Sequence, residues 1–390
     1  MKEIKRNKDW IQDYFFLIVP KPLKDELLSS WLTRMAKEHR RLLSEFISLF
    51  IRHDGSAIAR TDIDFLYNEE LFEHLVQKSH LSYKGIFNLS LRSEEGYLYT
   101  CSEHDLYPPL QIRKLTDKRM HNGLMYCPQC LAEDNVPYFR KQWRYHSINV
   151  CTKHRVLLLD RCLKCHSKIE LSKIKHFKEL SICHKCENDL RLGMYTYLES
   201  NFEYAIQATK WFENGLKNGY FIINQEKVYS VFVFGSFQYL RCLLDKKEKL
   251  VLNYFPLIDE YKRICSNLEH YNFKENLSIK KELMLTSMVY SLFQNYPYNL
   301  IEFALSNKLT HRAFVHRIKD IPFWYKKMID ELIPICNNIG REISESEVRG
   351  AIKYLKSTGK VVNQKNVGGI LGCHLSLHRG FISIYKSLKI

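Results

Sequence analysis

Four short cysteine and histidine pairs in one stretch of the chain have the spacing of metal-binding knuckles. The two members of each pair are separated by two residues, and the pairs are Cys127/Cys130, Cys151/His154, Cys162/Cys165 and Cys183/Cys186. Twenty residues separate the first pair from the second, and seventeen separate the third from the fourth. Two such pairs can close tetrahedrally around one Zn²⁺. The sequence therefore predicts two zinc ions, each held by one set of four ligands.

Both predicted sites have the features of structural rather than catalytic zinc. A catalytic zinc keeps three protein ligands, an open position for water and a nearby carboxylate that acts as general base. Each set here supplies four ligands. The nearest match to a deaminase signature, Cys127 and Cys130 after His121, lacks the required glutamate, and the common nucleotide-binding and hydrolase motifs are absent from the sequence. A non-enzyme is favoured, and a zinc-dependent nucleic-acid enzyme with dispersed acidic residues is the distant alternative.

The segment between the first two pairs combines aromatic and basic side chains. It contains "PYFRKQWR" at residues 137–144. Phe139 and Trp143 are predicted to pack in a small core that the metal holds together. Arg140, Lys141 and Arg144 then become candidates for a rigidly presented contact with nucleic acid.

The composition is that of a soluble cytoplasmic protein with an anionic partner. The chain has 390 residues, 45% of them hydrophobic, and a net charge of +16. Such a charge favours nucleic acid or a nucleoprotein, although a lysine-rich composition of the genome explains it equally well. The longest apolar run, "YFFLIVP", is too short to cross a membrane, and no secretory signal is recognisable. In a reducing cytoplasm, clustered thiols bind metal rather than form disulfides.

Amphipathic helices are predicted on both sides of the zinc region. After Pro22, apolar and polar residues alternate at helical spacing, with Asp25 and Glu26 in the first turn. The apolar face comprises Leu27, Leu28, Trp31, Leu32 and Met35, and the polar face comprises Ser29, Ser30, Thr33, Arg34 and Lys37. The predicted fold is mainly α with small zinc-ribbon β elements. Its predicted parts are a helical domain (1–125), a double zinc module (126–190), a second helical domain (200–335) in which Pro297 breaks a helix, and a C-terminal element (340–390).

The C-terminal element has the outline of a helix-turn-helix. Ser344 begins a capping box, Gly359 ends the first helix, Asn363 can cap a second, and a turn at Gly372 leads to a third. The predicted core positions are Val367, Leu371, Cys373 and Phe381. Residues 361–390 contain no Asp or Glu, so the candidate nucleic-acid contacts here are Lys365, His378, Arg379, Lys386 and Lys389. A helical packing module without nucleic-acid contact is the alternative.

Two segments resemble the TniQ/TnsD family of transposon target-selection proteins. They are "PKPLKDELLSSWLTRMAKEH" and "YCPQCLAED…PYFRKQWR…VCTKHRVLLLDRCLKC", and the resemblance spans residues 15–190. It implies a non-catalytic adaptor that recruits the transposon's AAA+ ATPase regulator, which in turn brings the transposase. It also implies that the eight Cys and His residues are zinc ligands. The first helix would face the ATPase, which makes Ser30, Arg34 and Lys37 candidate partner contacts.

The resemblance leaves the mode of targeting open. TnsD-like members bind an attachment site in DNA directly through their C-terminal regions. TniQ members of CRISPR-associated transposons dock instead, often as dimers, on a guide-RNA-loaded Cascade complex. The basic C-terminal element favours direct DNA contact. Outside the family, a zinc-containing transcription regulator is the remaining alternative.

Overall fold

The structure is a computed structural model with two separate units, Met1–Tyr296 and Pro297–Ile390. The division falls inside the helical domain predicted for residues 200–335. The described residues are 16–50, 62–65, 69–100, 109, 111–115, 123–192, 203–246, 277–307, 309, 311–315, 322, 324–327, 329–330, 344–371 and 379–388. The first unit contains both sets of predicted zinc ligands, and the second contains the predicted helix-turn-helix.

Helices dominate the described part of the first unit. They are α1 (Leu28–Glu38), α2 (Leu43–Phe50), α3 (Glu69–Ser79), α4 (Tyr83–Phe87), α5 (Pro128–Glu133), α6 (Glu203–Asn218), α7 (Ser230–Lys246) and α8 (Leu277–Phe293). Two antiparallel hairpins accompany them, β1 (Val150–Cys151) with β2 (Val156–Leu157), and β3 (Tyr220–Ile223) with β4 (Glu226–Tyr229). The prediction of a mainly α fold with small β elements in the zinc region is confirmed.

Helix α1 is buried on both of its faces. Its apolar face packs as predicted, with Trp31 and Met35 in a core shared with Phe46 of α2 and Phe72 of α3. The prediction of an exposed polar face is wrong, because every residue from 28 to 36 is buried. Asp25 and Glu26 also precede the helix instead of lying in its first turn. The polar residues of α1 can be buried because other segments supply their hydrogen-bond partners.

The segment before α1 is attached directly to the zinc region. The backbone N–H of Leu27 donates to the carbonyl of Phe139 (2.9 Å), and the N–H of Lys141 donates to the carbonyl of Asp25 (2.7 Å). These bonds cross the domain boundary predicted between residues 125 and 126. The helical N-terminal region and the first set of ligands are therefore parts of one unit, and that boundary is corrected.

Aromatic packing joins helices α6 and α8 to the second hairpin. The ring of Trp211 on α6 lies 4.3 Å, centroid to centroid, from Phe221 on β3 and 5.6 Å from Phe293 on α8. The hairpin approaches α6 so closely at Gly215 that a Cβ there would lie 2.0 Å from the Phe221 ring. Helix α6 also contacts the turn that carries His154, through Thr152 and Arg155.

The second unit contains short helices with local capping signals. They are α9 (Tyr298–Ser306), α10 (His311–Val315), α11 (Glu345–Ser357), α12 (Gln364–Leu371) and α13 (Arg379–Leu388). Both hydrogen bonds of the predicted capping box at Ser344 are present. Asn363 caps α12 by accepting the N–H of Asn366 at 2.8 Å, and Gly359 follows α11 with φ +66°. Pro297 precedes α9, so the predicted helix break is confirmed.

Helices α11, α12 and α13 share a small apolar core. Val348, Leu355, Val367 and Tyr385 are buried in it. The turn at Gly372, together with Cys373 and His378, lies outside the described residues, so the helix-turn-helix stays a prediction. Among the helices that the structure describes in either unit, none is both long enough and apolar enough to cross a membrane.

Candidate metal centres

The first centre brings together Cys127, Cys130, Cys151 and His154. Nδ1 of His154 lies 3.3–3.4 Å from all three sulfurs, and the sulfurs of Cys130 and Cys151 are 3.6 Å apart. A tetrahedral Zn²⁺, with Zn–S near 2.3 Å and Zn–N near 2.0 Å, requires its ligand atoms to be roughly 3.5–3.8 Å apart. The four side chains therefore fit one such ion without rearrangement.

Local structure places each of these four ligands. Cys127 is the N-cap of α5, and its sulfur accepts the N–H of Cys130 at 3.4 Å, while Pro128 occupies the first helical position. Cys151 ends strand β1, and His154 lies in the turn to β2, which closes at Arg155 with φ +54°. A helix N-terminus and a hairpin turn thus present two ligands each to the same point.

Neighbouring side chains fix the turn that carries His154. Its Nε2 lies 2.9 Å from a carboxylate oxygen of Glu133 on α5, an arrangement that orients a metal-binding imidazole. Thr152 donates its hydroxyl to Glu213 of α6 at 2.8 Å, and Arg155 pairs with Glu203 at 2.7 Å. Helix α6 therefore also contacts this turn, through Glu203 and Glu213.

The second centre brings together Cys162, Cys165, Cys183 and Cys186. The sulfurs of Cys162 and Cys186 are 3.6 Å apart, and those of Cys165 and Cys183 are 3.7 Å apart. All four sulfurs lie within 4.8 Å of one another. Four thiolates at this spacing match a closed tetrahedral Cys₄ site. Both ligand sets predicted from the sequence are therefore assembled in space, and each could hold one metal ion.

The thiols of the two centres differ in how readily they ionise. Hydrogen bonds from Cys127 and Cys130 hold the pKa of Cys151 well below its usual value. Burial opposes ionisation of Cys165, but hydrogen bonds from Ser167 lower its pKa to about 6. Burial raises the pKa of Cys162 to about 12. A bound cation favours the thiolate form of a cysteine. A metal ion would therefore stabilise the thiolate even of Cys162, whose pKa is raised.

The basic residues between the first two pairs lie largely inside the protein. Lys141 pairs with Glu94 at 2.6 Å and Arg144 pairs with Asp62 at 2.5 Å, and both basic side chains are buried. The prediction that Lys141 and Arg144 contact nucleic acid is corrected, because a buried cation already paired with a carboxylate offers no surface to a phosphate.

Arg140 is only partly buried, and its predicted contact stays a prediction. Its guanidinium makes two hydrogen bonds to Asp134 and stacks over the rings of Tyr138 and Trp143 at 4.2 and 4.8 Å. Phe139 and Trp143 are buried and pack edge to face, with centroids 6.1 Å apart. The predicted small core at this position is therefore confirmed.

Arg144 organises a buried ionic cluster that the sequence did not reveal. Its guanidinium also contacts Asp64 at 2.9 Å, and Asp64 accepts both the N–H and the hydroxyl of Ser29 at 2.7 and 2.9 Å. Burial raises the pKa of Asp64 to about 6, although Arg144 opposes the shift. Asp62 and Asp64 are 82 and 80 positions from Arg144 in the chain, so no local pattern links them.

Glu26 connects α1 to the first centre through a second buried cluster. Its carboxylate accepts the Ser30 hydroxyl at 3.0 Å and the Arg34 guanidinium at 2.7 Å. Ser30 in turn accepts the N–H of Phe139 at 3.0 Å. The prediction that Ser30 and Arg34 contact a partner is corrected, since both are buried and bonded internally. Lys37 is half-buried, and its predicted contact is not affected.

The predicted C-terminal contacts are described only in part. Lys365 on α12 and Lys386 on α13 are exposed. Arg379 is the first residue of α13, while His378 and Lys389 lie outside the described residues. All five stay predictions.

A comparison with protein families identifies the region in which α1 and the first centre are joined. The TniQ family model matches residues 17–158. Residues 17–158 therefore carry a TniQ domain. The resemblance that the sequence shows to this family is thereby confirmed. No curated protein matches the chain.

The TniQ domain includes the first metal centre and ends before the second. It begins ahead of α1 and extends four residues beyond His154, whereas Cys162 to Cys186 follow it. The two buried clusters around Arg144 and Glu26 lie within it. TniQ proteins are non-catalytic adaptors, so the domain implies a role in target selection associated with transposition.

Proposed function

We propose that this protein selects targets for DNA transposition by linking a chosen DNA site to the transposon's AAA+ ATPase regulator and, through it, to the transposase. The observation that carries the proposal is the TniQ domain at residues 17–158. Its buried clusters join α1 to the segment that carries the first centre, which suits a surface that must present fixed contacts to another protein.

Both centres are structural Zn²⁺ sites in this proposal. Each offers four ligands, three thiolates with one imidazole in the first centre and four thiolates in the second, and zinc binds both combinations. The ion would supply cross-linking and positive charge rather than chemistry. Its ligands hold α5 to the β1–β2 turn in the first centre and hold two knuckles together in the second.

The ATPase contact is assigned to the end of α1 that remains accessible. Ser30 and Arg34 are internal, but Lys37 is half-buried, and Arg40 and Arg41 in the following turn are exposed. The turn itself is fixed, because the N–H groups of Arg40 and Arg41 donate to carbonyls of α1 at 2.9 Å. These three basic side chains therefore form a preorganised surface for an acidic region of the ATPase.

Direct DNA contact is assigned to the second unit. Lys365 and Lys386 are exposed on helices that share one core, and Arg379 begins the last helix. The proposal extends to His378 and Lys389, which adjoin α13 in the sequence. A helix-turn-helix would bring α13 to the major groove.

The DNA assignment is tested by gel shift on the attachment site of the transposon. We expect a sequence-specific complex whose log affinity falls steeply with log salt, and its loss in the double variant Arg379→Ala with Lys386→Ala. The control is Lys353→Ala with Lys356→Ala, which removes the same charge from exposed positions on α11. Sequence-independent binding, or equal loss in both variants, would contradict direct readout by α13. Co-purification with a guide-RNA complex instead of DNA would favour the Cascade-docking mode.

A further inference from the structure

Residues 161–192, the knuckle module, contain the second centre and several buried apolar side chains. The buried apolar residues include Ile169, Leu171, Ile174, Leu180 and Leu190. Residues 161–192 contain eight Lys or Arg and four Asp or Glu, so the module is basic. It lies outside the match to the TniQ domain. Its charge therefore needs an explanation separate from the adaptor surface of that domain.

Two lysines occupy equivalent positions in the two knuckles of this centre. Lys164 and Lys185 each precede the second cysteine of a pair, in "CLKC" and "CHKC". Both are exposed, and neither forms an ion pair with any residue that the structure describes. Because the sulfurs of Cys162 and Cys186 are 3.6 Å apart, the two lysines flank one centre. A metal ion would hold their backbones rigidly.

An exposed aromatic ring projects beside the second knuckle. Phe177 is 62% exposed, whereas Ile174 and Leu180, which precede and follow it in the sequence, are buried. The ammonium groups of Lys175 and Lys178 lie 5.7 and 5.6 Å from its centroid. Both lysines also pair at 3.0 Å with Glu187, the residue that follows Cys186, and these pairs connect the neighbours of the ring to the second knuckle.

Lysines at such positions could simply balance the negative charge of four thiolates. That role explains Lys164 and Lys185 but not Phe177, because an exposed ring gains nothing from a metal–thiolate site. A ring flanked by lysines matches instead the apolar wedge of proteins that enter the minor groove of duplex DNA. Proteins that hold single strands usually stack bases on several rings along a groove. The single projecting ring therefore favours a duplex.

We propose that the knuckle surface, defined as Lys164, Lys175, Phe177, Lys178 and Lys185, binds duplex DNA without reading its sequence. The lysines contact phosphates on either side, and the ring of Phe177 enters the minor groove between them. The inference rests on the proposed function, because it gives the selected DNA a second, sequence-independent hold on the protein.

The lysine part is tested on the full-length, metal-loaded protein with a duplex of random sequence. In the double variant Lys164→Gln with Lys185→Gln, we expect the slope of log affinity against log salt to become shallower by about 2, since each phosphate contact contributes about 0.9. The control is Lys84→Gln with Lys217→Gln, an equal charge change at exposed positions outside the module. An unchanged slope, or the same change in the control, would overturn the proposal.

The ring is tested with a duplex that carries 2-aminopurine, whose fluorescence rises when its base step is unstacked. The wild-type protein should raise the signal, and Phe177→Ala should abolish the rise. The control, Tyr229→Ala, removes a ring that is also 62% exposed and should leave the signal unchanged. No rise with the wild type, or tighter binding to single-stranded DNA or RNA of the same length, would overturn the duplex assignment.

The metal content of the double variant shows whether its second centre is still folded, a necessary control because Lys164 and Lys185 adjoin metal ligands. If that variant keeps two metal ions per chain, its slope is decisive. If it loses one, Lys175→Gln with Lys178→Gln replaces it, because neither residue adjoins a cysteine, and an unchanged slope there counts equally against the proposal. If the lysine variant keeps both its site-specific shift and the wild-type binding to the random duplex, the knuckle surface is rejected and the proposed function is not. If the protein binds the random duplex through the knuckle surface but gives no site-specific shift on the attachment site, the proposed function is rejected and the knuckle surface is not.

Discussion

Arg144 pairs with residues that are distant in the sequence and so joins separate parts of the TniQ domain. It is almost fully buried between Asp62 and Asp64, and Asp64 continues the contact to Ser29 on α1. In Arg144→Gln, two carboxylates stay buried without their cation, so we expect a loss of about 3–5 kcal/mol in the free energy of unfolding. Urea denaturation followed by tryptophan fluorescence measures it.

A surface arginine provides the matched control. Arg155 pairs with Glu203 at a similar distance, but both side chains are about 40% exposed or more. Because exposed pairs contribute little, Arg155→Gln should cost less than about 1 kcal/mol. Equal losses in the free energy of unfolding of the two variants would show that burial does not strengthen the contribution of the Arg144 cluster to stability.

His146 makes the stability of the first unit depend on pH. Burial lowers its pKa from 6.5 to about 4, although Glu282 at 3.5 Å opposes the shift. Between these two values the unfolded chain binds more protons than the folded chain, so stability is present above pH 6.5 and is lost as the pH falls toward 4. We expect the melting temperature of His146→Gln to fall less than that of the wild type between pH 7 and pH 5. Protonation of the metal ligands is common to both proteins, and identical pH profiles would refute the role of His146.

Helix α6 depends on the absence of a side chain at Gly215. A Cβ there would overlap the ring of Phe221, so Gly215→Ala should destabilise the first unit by about 1–3 kcal/mol. Gly350 on α11 has open space around its Cα, and Gly350→Ala should stabilise the second unit by about 0.5–1 kcal/mol. Thermal unfolding of both variants tests the pair, and a shift of the same sign in both would contradict the packing described for α6.

The elements that local sequence determines were predictable. The metal ligands are visible because their residue types and their spacing of two carry the chemistry, and the caps at Ser344 and Asn363 act over three residues. The burial of the polar face of α1 was not predictable. It requires Asp64, 35 positions from Ser29, and Phe139, 109 positions from Ser30, and no periodicity in the sequence encodes such distant partners.

The two metal centres should differ in which part of the protein unfolds when each one is removed. The first lies within the TniQ domain, whose backbone bonds to Phe139 and Lys141 tie it to α1. The second lies after that domain, within residues 161–192. Because binding energy in a closed zinc site is folding energy, Cys127→Ser should unfold the TniQ domain, whereas Cys165→Ser should release one metal ion and leave ATPase binding intact. Metal analysis with limited proteolysis distinguishes them, and a folded, metal-bound Cys127→Ser protein would contradict this division.

We propose that the protein joins target DNA to the AAA+ ATPase. The most direct measurement immobilises the attachment-site duplex and records how much of the transposon's ATPase is retained with and without this protein. We expect retention only when the protein is present. We also expect retention to be lost in Arg40→Ala with Arg41→Ala, in which DNA binding persists. Equal retention of the ATPase in the absence of the protein, or none in its presence, would show that the protein does not join the two.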